Sequence, residues 1–251
     1  MMKQDLDIYR YFLKDSIRKK INFTLTDQNR GVPPPPIEKP LPSNALCIKL
    51  SFPETWTTIP GKELTQAIKD RKSHRVYRPE PLSLEELAYL LWSTQGVRGK
   101  PFHGSAYRNV PSAGCRHALE TYLAVLNIKG LSPGIYRYLP LTHGLLFEFK
   151  VENLPEKMVE ASLGQPYPGK AAVTFIWVAI PYRMEWRYDL AAHKVILLDA
   201  GHVCQNLYLA CEAIGAGTCA IAAYDQKMLD KLLALDGEDE FAIYLAPVGK
   251  V

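Results

Sequence analysis

Arg71-Lys72-Ser73-His74-Arg75 places three cationic side chains and a hydroxyl within five residues. Guanidinium forks make bidentate, charge-assisted bonds to phosphate, and a serine hydroxyl adds a short directional one. The stretch therefore has the chemistry of an anion grip; the competing reading is a solvated helix end. A second stretch runs Arg108-Asn109-Val110-Pro111-Ser112-Ala113-Gly114-Cys115-Arg116-His117. Its Pro, Ser, Ala and Gly predict a tight loop whose small side chains let a planar group lie against free backbone N–H donors. Cys115 and His117 form a nucleophile pair only if their side chains meet. Neighbours at i and i+2 do not, and no third group is evident to orient the histidine. Phosphate-loop, dinucleotide, zinc-protease and nucleophile-elbow motifs are all missing, and the histidines lack metal-ligand spacing, so no metal is expected.

The elements that must position these stretches begin near Gly61. Lys62–Arg71 reads as a helix. Ser83 with Glu86 is a capping box opening a helix whose apolar face is Leu84, Leu87, Ala88, Leu90 and Leu91, with Gly96 as its stop. Residues 97–108, glycine-rich and basic, read as a mobile loop, and Arg98, Lys100, Arg108 and Arg116 as charges that steer an anionic substrate. Residues 118–128 turn β-rich, and 134–139 with 145–151 predict a hairpin turning at Thr142-His143-Gly144. Residues 154–163 read as a helix. Residues 171–180 are almost continuously apolar, as in a strand buried on both faces. The longest helix is expected over 190–214, its small residues Ala200, Gly201, Ala210 and Cys211 admitting a neighbouring helix from the same chain or from a second copy. Gly215-Ala216-Gly217 ends it. A helix over 226–235 and a strand over 241–247 follow.

Upstream, residues 5–30 mix aromatic and basic side chains, and Pro33–Pro36 with Pro40 and Pro42 favour an extended arm outside the core. The chain has 251 residues and a formal net charge of +4, too mild a balance to argue for nucleic acid. No run of about 18 apolar residues suggests a membrane span. The polar start lacks the apolar stretch of a secretion signal, and five cysteines without metal-site spacing fit a reducing, cytoplasmic setting.

Four motifs in order, Arg71-x-Ser73-x-Arg75, Pro111-Ser112-Ala113-Gly114, Leu198-Asp199-Ala200-Gly201-His202 with Gln205-Asn206-Leu207, and Gly215-x-Gly217, resemble the nitroreductase-like flavoproteins. The chain is most similar to their SagB-type dehydrogenase branch, which the Pro-rich arm also fits. The resemblance implies an α+β fold, a three-layer α-β-α sandwich with a mixed, mainly antiparallel central sheet. Residues 1–60 would form an N-terminal arm and 61–251 the FMN-binding domain. It implies a homodimer with two active sites at the subunit interface, electrons entering from NAD(P)H and leaving to a small acceptor such as a nitroaromatic, quinone or enone. By position, Arg71, Ser73 and Arg75, with Lys72 between them, would hold the phosphate and pyrimidine side of FMN. Pro111, Ser112, Ala113, Gly114 and Cys115 would reach the ring from the other subunit. Gln165 would bond the pyrimidine edge, and a backbone N–H of Ala220, Ile221, Ala222 or Ala223 would face N5. Relatives often have Asn where Cys115 stands, and several C-terminal basic residues where this chain has Lys250. Azoline dehydrogenases of the branch use a Lys-Tyr pair; the match here is Arg187-Tyr188, with Tyr188 a proton relay or an interface tyrosine. The same features leave two other functions open: oxidation of thiazoline or oxazoline peptides, and a flavin- or peptide-binding module without turnover.

Overall fold

The computed structural model describes residues 3–251; Met1 and Met2, at the start of the expected arm, lie outside the described residues. Seven strands form one sheet in the order β1 (Cys47–Lys49), β6 (Gly144–Phe149), β5 (Gly134–Leu139), β4 (Leu119–Val125), β7 (Val173–Ala179), β9 (Phe241–Lys250), β8 (Ala216–Thr218). Every pairing between these strands is antiparallel. The parallel component is confined to two isolated bridges, Ser73 with Thr218 and Leu82 with Ile128.

Strand β7 explains the layering. Its alternate residues Val173, Phe175, Trp177 and Ala179 share one core cluster with α3 (Leu84–Gln95) and α6 (Ala192–Ala213), whereas Ile176 and Val178 share another with α4 (Leu154–Ala161) and α7 (Gln226–Leu232). A strand covered on both faces reads as a continuous apolar run even in an antiparallel sheet, which is the three-layer α-β-α sandwich. The capping box holds as read: Glu86 N–H donates to Ser83 Oγ at 3.0 Å and Ser83 N–H to Glu86 Oε2 at 2.8 Å. Among the described residues no helix is long and apolar enough to cross a membrane, and no group of three or more His, Cys, Asp or Glu side chains is placed to hold a metal.

Three sequence expectations change. Residues 97–108 are not a loop but a hairpin, β2 (Val97–Phe102) with β3 (Ser105–Arg108), turning at His103-Gly104 where both φ are positive. A separate helix, α5 (Tyr182–Tyr188), precedes α6. Third, part of the N-terminal segment enters the sandwich: beyond α1 (Lys3–Leu13), β1 pairs with β6 as an edge strand and Leu50 is buried in the core. The proline run between them has few N–H donors but many carbonyls, and buried side chains meet those one after another. Trp186 Nε1 donates to Val32 O at 2.9 Å, Arg116 to Pro35 O at 3.3 Å and Arg108 to Ile37 O at 2.8 Å. Arg137 then donates to Lys39 O at 2.9 Å and Pro40 O at 3.2 Å. Of the small residues in α6, Ala200, Ala210 and Cys211 are buried within the chain; Gly201 is exposed.

Candidate active site

Helix α2 (Leu64–Asp70) stops at Arg71, and the chain leaves it along β8. His74 N–H donates to Thr218 O at 2.9 Å, and Ser73 bridges Thr218. Glycine is required opposite: a Cβ on Gly217 would lie 2.6 Å from the His74 ring. This seam puts Arg71, Lys72, Ser73 and Arg75 at one end of the sheet, and among the described residues none of these three cations is in an ion pair. Tyr208, from α6, stands behind them. Its hydroxyl is 3.0 Å from Ser73 Oγ, its ring lies 5.3 Å from the Arg71 guanidinium carbon, and it accepts the Ala220 N–H at 2.8 Å.

The 220–223 segment is fixed at further points. Ile221 exchanges backbone hydrogen bonds with Leu245 at 2.8 and 3.1 Å, and Ala223 O accepts from Gln165 Nε2 at 2.9 Å. Ala222 and Ala223 are exposed, and their N–H groups have no backbone or side-chain acceptor among the described residues. Gln165 thus joins the cluster, but both its N–H bonds are committed, the other to Ser162 O at 3.0 Å, while Tyr167 donates to its oxygen at 2.5 Å. Its amide holds the loop from behind.

Pro111–Cys115 lies elsewhere on α6. Ala113 N–H reaches Asp199 Oδ1 at 3.4 Å, and the other Asp199 oxygen is buried without a partner. Burial raises the Asp199 pKa, opposed by the Ser112 hydroxyl and the Ala113 N–H. Gly114, at φ +58°, is pressed against α5: a Cβ there would sit 2.6 Å from Tyr188 Oη and 3.0 Å from Arg187. Tyr188 and Arg187 therefore belong with this loop. Asp199 and Tyr208 are nine positions apart on α6, a rise of about 13 Å and a rotation of about half a turn. One chain accordingly holds two candidate half-sites on opposite sides of its longest helix, with Arg71, Ser73, Arg75, Gln165 and Ala220–Ala223 in one and Pro111–Cys115 with Tyr188 in the other.

Several side chains have other work. Arg108 and Arg116 are 3% and 1% exposed and serve the carbonyls of the arm, so they do not steer substrate. Lys250 is spent on Glu86 Oε1 at 2.5 Å and Ile214 O at 2.7 Å, so it is not a free cation for a phosphate. His117 is buried with Nε2 2.9 Å from Ala106 O, which ends the case for a Cys115–His117 nucleophile pair. Burial, with Arg108 close by, pushes its pKa down to about 3. Below its ordinary pKa of about 6.5 the unfolded chain takes a proton that the folded chain refuses, so this group weakens the fold as pH falls from 6.5 toward 3 and has no effect above. His143, also lowered by burial, adds in the same direction. Melting temperatures should therefore drop between pH 6.5 and 4.5, and His117→Gln should flatten that slope; an unchanged slope would assign the acid sensitivity to other groups.

The sequence model of the nitroreductase family matches residues 68–250, from the last turn of α2 to the end of β9. The chain belongs to the nitroreductase family. A Methanocaldococcus jannaschii protein bearing the nitroreductase name is 29% identical over 188 residues, 75% of this chain and 91% of that one. The trifolitoxin-processing protein TfxB of Rhizobium leguminosarum bv. trifolii is 27% identical over 135 residues, 51% of this chain but 35% of that protein. Among solved structures, a Ralstonia eutropha JMP134 protein of the nitroreductase name superposes with a TM-score of 0.67 at 26% identity, covering 87% of this chain and 98% of that one. A chain of the E. coli microcin synthetase McbBCD complex, solved with truncated pro-MccB17, has the same fold, with a TM-score of 0.61 at 21% identity over 81% of this chain and 78% of that one. Family membership supports a flavin-type oxidoreductase and agrees with the SagB-branch resemblance. Sequence reasoning passed over Tyr208, Tyr167 and Asp199 as site residues. Asp199 lies inside one of the family motifs; Tyr208 carried no local signal because Ser73 is 135 positions away, and Tyr167, though it bonds Gln165 two residues before it, matches no motif.

Proposed function

We propose that this nitroreductase-family chain is an FMN-dependent oxidoreductase, passing electrons from NAD(P)H to a small acceptor such as a nitroaromatic, quinone or enone. The observation that carries the reading is that Arg71 and Arg75, in no ion pair among the described residues, flank Ser73, which Tyr208 joins to the 220–223 loop with its unspent Ala222 and Ala223 N–H donors. That donor set fits a phosphorylated flavin: cations and a hydroxyl for a dianionic tail, neutral N–H groups for the ring. Arg71, Ser73 and Arg75 would hold the phosphate, and a loop N–H would face the electron-rich ring edge. FMN, when bound, supplies the two-electron chemistry; the chain binds it, orients it and supplies hydrogen bonds that favour its reduced form.

Because the half-sites lie on opposite sides of α6, we propose a homodimer in which Pro111–Cys115 of one copy faces the Arg71 half-site of the other. The outer face of α6 supports this. Leu197 and Leu198 are 48% and 55% exposed, and next to them nothing lies within 4 Å of where a Cβ on Gly201 would be, leaving room for close helix approach. Five free cysteines support a reducing, cytoplasmic setting.

A second reading, oxidation of a thiazoline or oxazoline in a peptide, has one specific observation behind it. Tyr188 Oη is packed against Gly114 of the proposed ring-facing loop, where a proton relay would stand, and the similarity to TfxB points the same way. A guanidinium is a poor general base, so Arg187 beside it offers an anion contact instead. Anaerobic titration of the purified yellow protein separates the readings. NADH or NADPH should bleach the flavin absorbance, and a nitroaromatic or quinone should restore it. Yellow protein that neither nucleotide bleaches would favour the azoline reading or a flavin-binding module without turnover, and protein that takes up no FMN would defeat all three.

A further inference from the structure

Tyr208 touches both the cation grip and the 220–223 loop. Its ring lies under the Arg71 guanidinium, 5.3 Å away, and its hydroxyl stands 3.0 Å from Ser73 Oγ while accepting the Ala220 N–H at 2.8 Å. We propose that Tyr208 is a positioning residue that couples the hold on the cofactor phosphate to the aim of the ring-facing donors. The inference rests on the flavin reading.

Few donors are left on this loop. Ala220 N–H is consumed by Tyr208, Ile221 N–H by Leu245 O at 2.8 Å, and Ala223 O by Gln165. Ala222 and Ala223 alone in this segment have N–H groups to offer, and they are exposed. Their direction is set by the residues on either side, of which Ala220 is held by the tyrosine hydroxyl at its N–H and, more weakly, by Cys219 Sγ 3.7 Å from its carbonyl. Deleting that oxygen strands the half-buried Ala220 N–H, and the loop must shift to satisfy it. The ring has a separate task. It holds Arg71 by cation–π attraction, so its loss frees the guanidinium without touching the loop.

These two tasks have different signatures. A donor aimed at the ring edge favours reduced, electron-rich flavin over oxidised flavin, so misaiming it lowers the midpoint potential. The phosphate is the same in both redox states, so loosening Arg71 weakens FMN equally in both and leaves riboflavin, which lacks the phosphate, unaffected. Tyr208→Phe, which keeps every ring carbon, should melt within a few degrees of the wild-type apoprotein and bind FMN about 10-fold more weakly, the loss of roughly one hydrogen bond. A tenfold larger loss for reduced than for oxidised FMN lowers the two-electron midpoint by about 30 mV. Tyr208→Leu should show the same potential and, in addition, a reduced preference for FMN over riboflavin.

The measurements are fluorescence titration of the apoproteins with FMN and with riboflavin, and redox titration of the flavin-loaded proteins. Tyr208→Phe with wild-type FMN affinity and midpoint would overturn the coupling while leaving the flavin reading intact. Equal losses of FMN and riboflavin in Tyr208→Leu would overturn the ring's part. Wild-type protein that binds neither would remove the flavin reading and this inference together.

Discussion

Arg71→Ala with Arg75→Ala should abolish retention of FMN through purification while shifting the melting temperature of the apoprotein by only a few degrees. Each guanidinium offers charge-assisted bonds to a phosphate, each worth about 1.5–3 kcal/mol, so the pair amounts to at least a hundredfold in Kd. The structure explains why the fold should tolerate the change. Arg75 is exposed, Arg71 is half-buried past the end of α2, and neither is in an ion pair among the described residues. Replacement removes binding groups and leaves no buried partner uncompensated. Lys250 cannot substitute, being tied to Glu86 and Ile214. Riboflavin should bind variant and wild type alike. Undiminished FMN content in the double variant would move the grip elsewhere.

The largest expected effect on stability lies on the sheet. Glu120→Ala should destabilise the protein by about 3–5 kcal/mol, because it breaks a buried charge network from its centre. Glu120, 2% exposed on β4, accepts from Arg183 at 2.5 Å and from Lys39 N–H at 2.8 Å, with Arg137 at 3.7 Å from its second oxygen. Arg183 and Arg137 are 2% and 1% exposed. Arg137 keeps Glu148 at 2.8 Å, but Arg183 keeps only the His117 carbonyl at 3.4 Å. Removing the carboxylate thus leaves a buried cation without its charge partner and releases the Lys39 backbone. Glu120→Gln keeps an acceptor and should cost less than Glu120→Ala. Urea unfolding of the three proteins tests the ordering, and a loss below about 1 kcal/mol for Glu120→Ala would show that the network relaxes or hydrates freely.

What could be read ahead of the structure was whatever local physics decides. The 171–180 run was legible because covering both faces of one strand demands apolar residues at every position, and the Ser83–Glu86 cap because its bonds close within three residues. The anion chemistry of Arg71–Arg75 followed from residue type alone. The rest depended on partners far away in sequence. Arg108 and Arg116 looked like surface charge until the carbonyls of Ile37 and Pro35 were found against them. Residues 97–108 looked like a loop because Gly99, Pro101 and Gly104 argue against strand, yet the positive φ of His103 and Gly104 turns them into a hairpin. Tyr208 matters through Ser73 and Ala220 and therefore left no pattern within its own helix.

The carbonyl-capped arm bears on the order in which the chain can assemble. Lys39 bonds Glu120 and Glu240, 81 and 201 positions further on, and Arg137 reaches back 97 positions to Pro40. None of those partners exists when the proline run leaves the ribosome, and a segment so poor in N–H groups has little regular structure to form alone. The arm must wait, extended and hydrated, until β4, β5 and β9 have come together, and it docks as a late, non-local event. In the native protein the same hierarchy runs backwards: the arm is the natural unit of partial opening, and its departure would uncover buried arginines before the sheet itself had loosened.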